Sequence, residues 1–152
     1  MKLTSFTDYT LRVLMYLGLE TDRLATIQVI AEAYGISENH LTKVVHHLAK
    51  SGVVESLRGK GGGIRLALPP DQIRIGAVIR AAEGDSAIVE CFSSHDTCKI
   101  TPNCKLAGIL YQAFEALYAS LDQYTLADLL TQPEPMIHIL RFQRRNQPGA
   151  SS

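Results

Sequence analysis

The sequence predicts a mainly α-helical chain with one small β-hairpin, and three observations carry that expectation. Two short helical patterns meet at Gly35. A glycine-rich basic segment, residues 58–65, separates two β-prone runs. Leucines recur at helical spacing from Leu106 to Leu121. With 46% hydrophobic residues in 152, the chain can bury one ordinary core, or a small core with a helical appendage.

The elements follow in chain order. Residues 5–20 read as a helix because Phe6, Tyr9, Val13, Leu14 and Leu17 fall three and four apart. Ser5 is its expected cap, with Asp8 three residues on as a weak capping-box partner. Thr26 to Tyr34 reads as a second helix, with Ile27, Ile30 and Ala31 inward. Gly35 ends it, because glycine takes the left-handed conformation without a Cβ penalty. Ser37 caps a third helix, Glu38 to Lys50. Leu41, Val44, Val45 and Leu48 form its buried stripe, while His40, Lys43, His47 and Lys50 line another face and Asn39 sits in the first turn. Residues 52–57 and 64–68 read as strands of a hairpin that Pro69-Pro70 ends, and residues 73–82 as a fourth helix.

Residues 84–103 lack periodicity, and long loops in compact domains tend to be functional or disordered. Thr101 and Pro102 are expected to start a long helix, as cap and first residue, which places Cys104 in its first turn. Leu106, Leu110, Ala113, Leu117 and Leu121 give that helix a seam needing a partner. Thr125 to Leu130 reads as a short helix. The expected division is 1–83 as a head, 84–104 as a cysteine loop, 105–132 as a dimerisation helix with a short terminal helix, and 133–152 as an irregular or disordered tail.

Formal net charge is zero, with fifteen basic and fifteen acidic residues, which excludes a uniformly basic coating protein. The charges are segregated. Residues 1–80 hold ten basic against seven acidic, residues 81–140 two against eight, and residues 141–152 three against none. The basic tail is read as a solvated end. No run approaches the roughly 20 apolar residues that cross a bilayer, and the polar N-terminal residues do not resemble a secretory leader, so a cytoplasmic protein is expected, without a membrane partner.

Two short helices, a tight turn and a basic hairpin are the order of a winged helix-turn-helix. A helix fits the major groove of B-form DNA and reads base edges from its N-terminal end. Asn39, His40, Lys43 and His47 on the third helix are the candidate readers, with Ser37 at its cap. Thr26 and Gln28 at the second helix are candidate backbone contacts. Arg58, Gly59, Lys60 and Arg65 are the wing candidates, because glycine lets the chain approach phosphates closely. A plain hairpin beside a solvated helix face is the bland alternative. The phosphate-loop pattern G-x-x-x-x-G-K-[ST] is absent, and no nucleophile–base pair suggests an enzyme.

Cys91, Cys98 and Cys104 are the only cysteines, spaced C-x6-C-x5-C. An odd count in a reducing compartment is a poor disulfide framework. Thiolates bind soft metals, so three on one loop suit an iron–sulfur cluster or zinc. A thiol redox switch without metal is another reading open to the residues.

The opening Met1-Lys2-Leu3-Thr4-Ser5-Phe6-Thr7-Asp8-Tyr9, the helix around Ile36-Ser37-Glu38-Asn39-His40-Leu41 and the wing Arg58 to Leu66 form a recognisable set. With them go Ile73-Arg74-Ile75-Gly76, the run Cys98 to Leu106, and Asp122 to Leu129. Over about residues 1–130 the chain resembles the iron–sulfur-dependent winged-helix transcriptional regulators, the IscR/NsrR family, and most of all their nitric-oxide-sensitive repressors. The resemblance implies a homodimer paired through the long helix and a palindromic double-stranded operator. It implies a cluster on Cys91, Cys98 and Cys104, of the 4Fe-4S type with 2Fe-2S as the alternative. Asp8 of the other subunit is the implied fourth ligand, and nitric oxide the implied signal. Some members carry a histidine three residues after the last cysteine. Ala107 stands there, which argues against that ligand and leaves His95 as another option. The readings left open are a thiol or iron-availability sensor on the same fold, and a zinc-stabilised interaction module.

Overall fold

The computed structural model describes residues 2–84 and 89–145, with side chains through residue 140. Helix α1, Ser5–Leu19, is capped by Thr4, whose hydroxyl accepts the Thr7 N–H at 3.2 Å. The expected cap, Ser5, is instead the first helical residue, and Asp8 pairs with Arg12 at 2.9 Å. Helix α2, Ile27–Tyr34, is capped by Thr26 and closed by Gly35 at φ 65°. Helix α3, Glu38–Lys50, is capped by Ser37 and buries Leu41, Val44, Val45 and Leu48 as its spacing requires.

Strands β1, Val54–Leu57, and β2, Gly63–Leu66, pair antiparallel with Glu55 opposite Arg65. Both are shorter than the apolar runs that predict them. Beyond the pairing, Ile64 exchanges two backbone hydrogen bonds with Ala25, which ties the hairpin to the start of α2. Helix α4, Ile75–Glu83, buries Ile75, Val78 and Ile79.

Two short 3-10 turns, Glu90–Phe92 and Thr101–Asn103, mark the next segment, and residues 85–88 of the expected loop lie outside the described residues. Helix α5, Lys105–Leu121, starts after Cys104, which is its N-cap residue. The expected Thr101–Pro102 start is therefore corrected: those residues form the preceding tight turn. Helix α6, Leu126–Leu129, opens with a capping box between Thr125 and Asp128.

Helix α7, Pro133–Arg145, overturns the expectation of an irregular tail over those residues, and 146–152 lie outside the described residues. Pro133 and Pro135 read as breakers, yet they occupy the first turn, where the missing N–H has no intrahelical acceptor to lose. α7 packs on α2, with Leu140 against the core.

One core unites the head. Leu14 of α1, Ile30 of α2, Leu41 and Leu48 of α3 and Leu126 of α6 are all fully buried in it. α6 thus belongs to the head although α5 precedes it. Its approach is fixed by backbone bonds: the Ile75 N–H donates to the Tyr124 carbonyl at 3.0 Å, and the Leu126 N–H to the Ile73 carbonyl at 2.8 Å.

Candidate functional site

Helix α3 turns by about 100° per residue, so its buried stripe fixes which residues face outward. Asn39, Thr42, Lys43, His46 and Lys50 are exposed opposite that stripe. The sequence-predicted face of His40, Lys43, His47 and Lys50 is centred about 50° to one side of this. That side meets α1. The His47 ring stands edge-on to Phe6 at 5.4 Å and is half-buried, and His40 lies 6.0 Å from Tyr9. His47 also lines an apolar cleft of about 260 Å³ with Leu48, Val53 and Val78. The outward face therefore includes Thr42 and His46, which the sequence reading missed. Measuring each residue's angle from the centre of the buried stripe would have found them.

The caps have prior duties. Thr26 accepts the Val29 N–H at 3.2 Å, Ser37 accepts the His40 N–H at 3.3 Å, and Gln28 donates to Glu32 at 3.1 Å. A helix N-terminus also carries N–H groups with no intrahelical acceptor, the usual means of holding a phosphate.

At the wing, Arg58 and Lys60 are exposed and form no ion pair among the described residues. Arg65 differs: it is paired with Glu55 across the ladder. The turn needs glycine. Gly59 has φ 102°, and a Cβ on Gly62 would stand 2.3 Å from the Leu57 carbonyl oxygen. Two cations on the hairpin tip without a carboxylate partner among the described residues are suited to phosphate contact.

The cysteines lie across the acidic middle of the chain. Cys91 and Cys104 are partly exposed, Cys98 is exposed, and all three are free. Cys98 receives a local fold from Asp96, whose carboxylate accepts its N–H at 2.9 Å. Three soft donors on one segment fit an iron–sulfur centre chemically. Between them, the Thr101 hydroxyl is buried without a hydrogen-bond partner among the described residues, a donor suited to an acceptor such as cluster sulfide. Among the described residues, however, no three His, Cys, Asp or Glu side chains gather closely enough to hold a metal. His95 is exposed, and its N–H donates to the Ser93 hydroxyl at 3.3 Å.

Asp8 lies on α1, away from its own chain's cysteines in sequence and held by Arg12. Arg12 in turn sits over the Tyr34 ring at 5.8 Å. Burial raises the Tyr34 phenol to about 12, partly opposed by Arg12. At the end of α4, Arg80 grips Asp122 with two hydrogen bonds of 2.8 and 2.7 Å and covers Tyr118 at 4.4 Å. Those bonds from Arg80 hold the Asp122 carboxyl below its usual value.

A helix-turn-helix with a free outward face, followed by a basic hairpin, defines a DNA-binding transcriptional regulator. More narrowly, the chain belongs to the Rrf2 family, described as an iron-dependent transcriptional regulator, whose family model matches residues 3–132. It is 46% identical over 144 residues to the HTH-type transcriptional regulator NsrR of Halalkalibacterium halodurans, covering 93% of this chain and 99% of that one. It is 48% identical over 144 residues to the HTH-type transcriptional regulator NsrR of Bacillus subtilis, with the same coverage. Among solved structures it is similar to T. potens IscR, with a TM-score of 0.72, 26% identity and 90% of each chain covered. No helix among the described residues is long and apolar enough to cross a membrane.

Proposed function

We propose that this chain is a cytoplasmic, non-catalytic, homodimeric repressor whose affinity for a palindromic operator is gated by an iron–sulfur cluster, with nitric oxide as the signal. The observation that carries this reading is the confinement of three free cysteines to one segment rooted on the DNA-binding head. Cys91, Cys98 and Cys104 would hold the cluster, 4Fe-4S in this reading, with Asp8 of the second copy as fourth ligand. When bound, such a cluster supplies iron that reacts with nitric oxide.

The chain's own residues do the rest. Asn39, Thr42, Lys43 and His46 enter the major groove. Arg58 and Lys60 hold the flanking backbone, and the caps at Thr26 and Ser37 present N–H groups to phosphates. Two heads in a dimer meet half-sites about 34 Å apart. The exposed apolar residues of α5, Leu106 and Ile109 among them, supply the dimer surface.

The test is the visible spectrum of protein purified without oxygen, followed through a nitric oxide titration alongside DNA binding. The chain has six Tyr and no Trp, so cluster absorption stands out. A coloured protein that bleaches and releases DNA is the expected result. A colourless protein with unchanged DNA affinity overturns the reading. Exposure of the free Cys98 favours one second reading, a thiol switch, in which peroxide rather than nitric oxide changes affinity and Cys98→Ser abolishes the response.

A further inference from the structure

Glu83 is the last residue of α4, and the cysteine segment leaves directly after it through Gly84, at φ 59°. Its carboxylate does not face solvent alone. One oxygen, Oε1, accepts the Thr4 N–H at 2.9 Å, the Thr4 hydroxyl at 3.1 Å and the Thr7 hydroxyl, all at the start of α1. Thr7 is fully buried. Burial works to raise the Glu83 carboxyl, but the bonds from Thr7 and Thr4 outweigh it and hold it below its usual value. A charged acceptor at a helix N-terminus is also favoured by the helix dipole.

The same first turns of α1 carry Phe6 and Tyr9, the rings against which His47 and His40 of α3 rest. One turn before Glu83, Arg80 grips Asp122, where the chain returns from α5. Both ends of the excursion that contains the cysteines are therefore anchored on the last turn of α4. From that turn, the contacts run through Glu83 to Thr4 and Thr7, then through Phe6 and Tyr9 to the recognition helix.

We propose that Glu83 is a positioning residue: its bonds to Thr4 and Thr7 transmit the state of the cysteine segment to α3. The proposal rests on the cluster-gated reading above. A purely structural role for Glu83 predicts something different. It would weaken folding and lower both DNA affinities in parallel, leaving their ratio unchanged.

The experiment measures that ratio. A duplex is selected by the wild-type protein from a random-sequence pool. Its affinity is then measured for protein reconstituted with iron and sulfide without oxygen, and for iron-free protein. Iron content and thermal melting are recorded for each. The wild type should show a ratio of about tenfold or more, within the usual range of coupling between two sites. Glu83→Ala should load iron as the wild type does, while its ratio falls to within about threefold of one. Glu83→Gln keeps an acceptor oxygen and should retain an intermediate ratio.

A wild-type ratio of one removes the gating reading and, with it, any signal for Glu83 to carry. A responsive wild type with an equally responsive Glu83→Ala overturns the Glu83 proposal alone. So does a Glu83→Ala protein that fails to load iron, because the carboxylate then serves the cluster directly. Should Glu83→Ala not fold, Thr7→Val removes one donor at nearly constant volume and is read by the same ratio, with the same two outcomes.

Discussion

Helices α3 and α5 are both apolar along one face, yet they end in opposite situations. The 13-residue α3 buries four side chains within its own chain. The 17-residue α5 buries none, and leaves Leu106, Ile109 and Tyr111 at 59, 61 and 58% exposure. The difference lies in the neighbours. α3 is enclosed by α1, α2 and β1, whereas α5 is held to α4 near its C-terminal end by Asp122 and Tyr118. Periodicity tells that a face is apolar; it does not tell what covers it. An uncovered apolar face is the mark of an interaction surface.

The comparison is broken most forcefully from the core side. Leu126→Ala should cost about 2–5 kcal/mol in thermal or denaturant unfolding, because it leaves a cavity where α6 packs against α1. On the open side, Leu106→Glu with Ile109→Glu should leave the helical signal intact and shift sedimentation toward a single copy; an unchanged mass would show that α5 is not the surface.

DNA binding sharpens the contrast within the head. Arg58→Ala and Lys60→Ala should each lower the slope of log affinity against log salt by about 0.9 for every phosphate no longer neutralised. Arg65→Ala should lower it less, since Glu55 already neutralises that side chain. On α3, His46→Ala should weaken DNA binding while changing stability by no more than about 0.5 kcal/mol. His47→Ala should act mainly on stability, costing about 0.5–1.5 kcal/mol because its ring no longer packs edge-on against Phe6.

The smallest effect is set by acid. The Asp122 carboxyl lies below its ordinary 3.8 when folded, so its contribution is complete above that value. It disappears as pH falls through the lower folded value. Asp122→Asn should flatten that part of the stability curve, measured by melting from neutral pH downward.

Much of this was legible in the residues. The helices of the head and the hairpin follow from apolar spacing, with Gly35, Thr26 and Ser37 marking boundaries as their chemistry requires. Cap choice at α1 was less legible, because Thr4 and Ser5 are equally able to accept and only the Glu83 contact separates them. The outward face of α3 is offset from the predicted one for a similar reason. His47 looks polar in sequence, but histidine packs well on aromatic rings, and only the position of α1 shows that it does so here, while His40 beside Tyr9 stays exposed. Glu83 carries no motif at all, since its three donors lie more than seventy positions away.

The burial of Leu126 has a consequence for how the chain can be cut. The polypeptide leaves the head after Glu83, runs out through the cysteines and α5, and returns to complete the hydrophobic interior from the other side. A fragment ending at residue 83 lacks that closing piece and should not persist as a folded unit. A single protease nick among the exposed residues 94–100 should leave two pieces that stay together and migrate as one until denatured. The head is thus contiguous in space and interrupted in sequence, and the cysteine segment is an insertion within it rather than an appendage at its end.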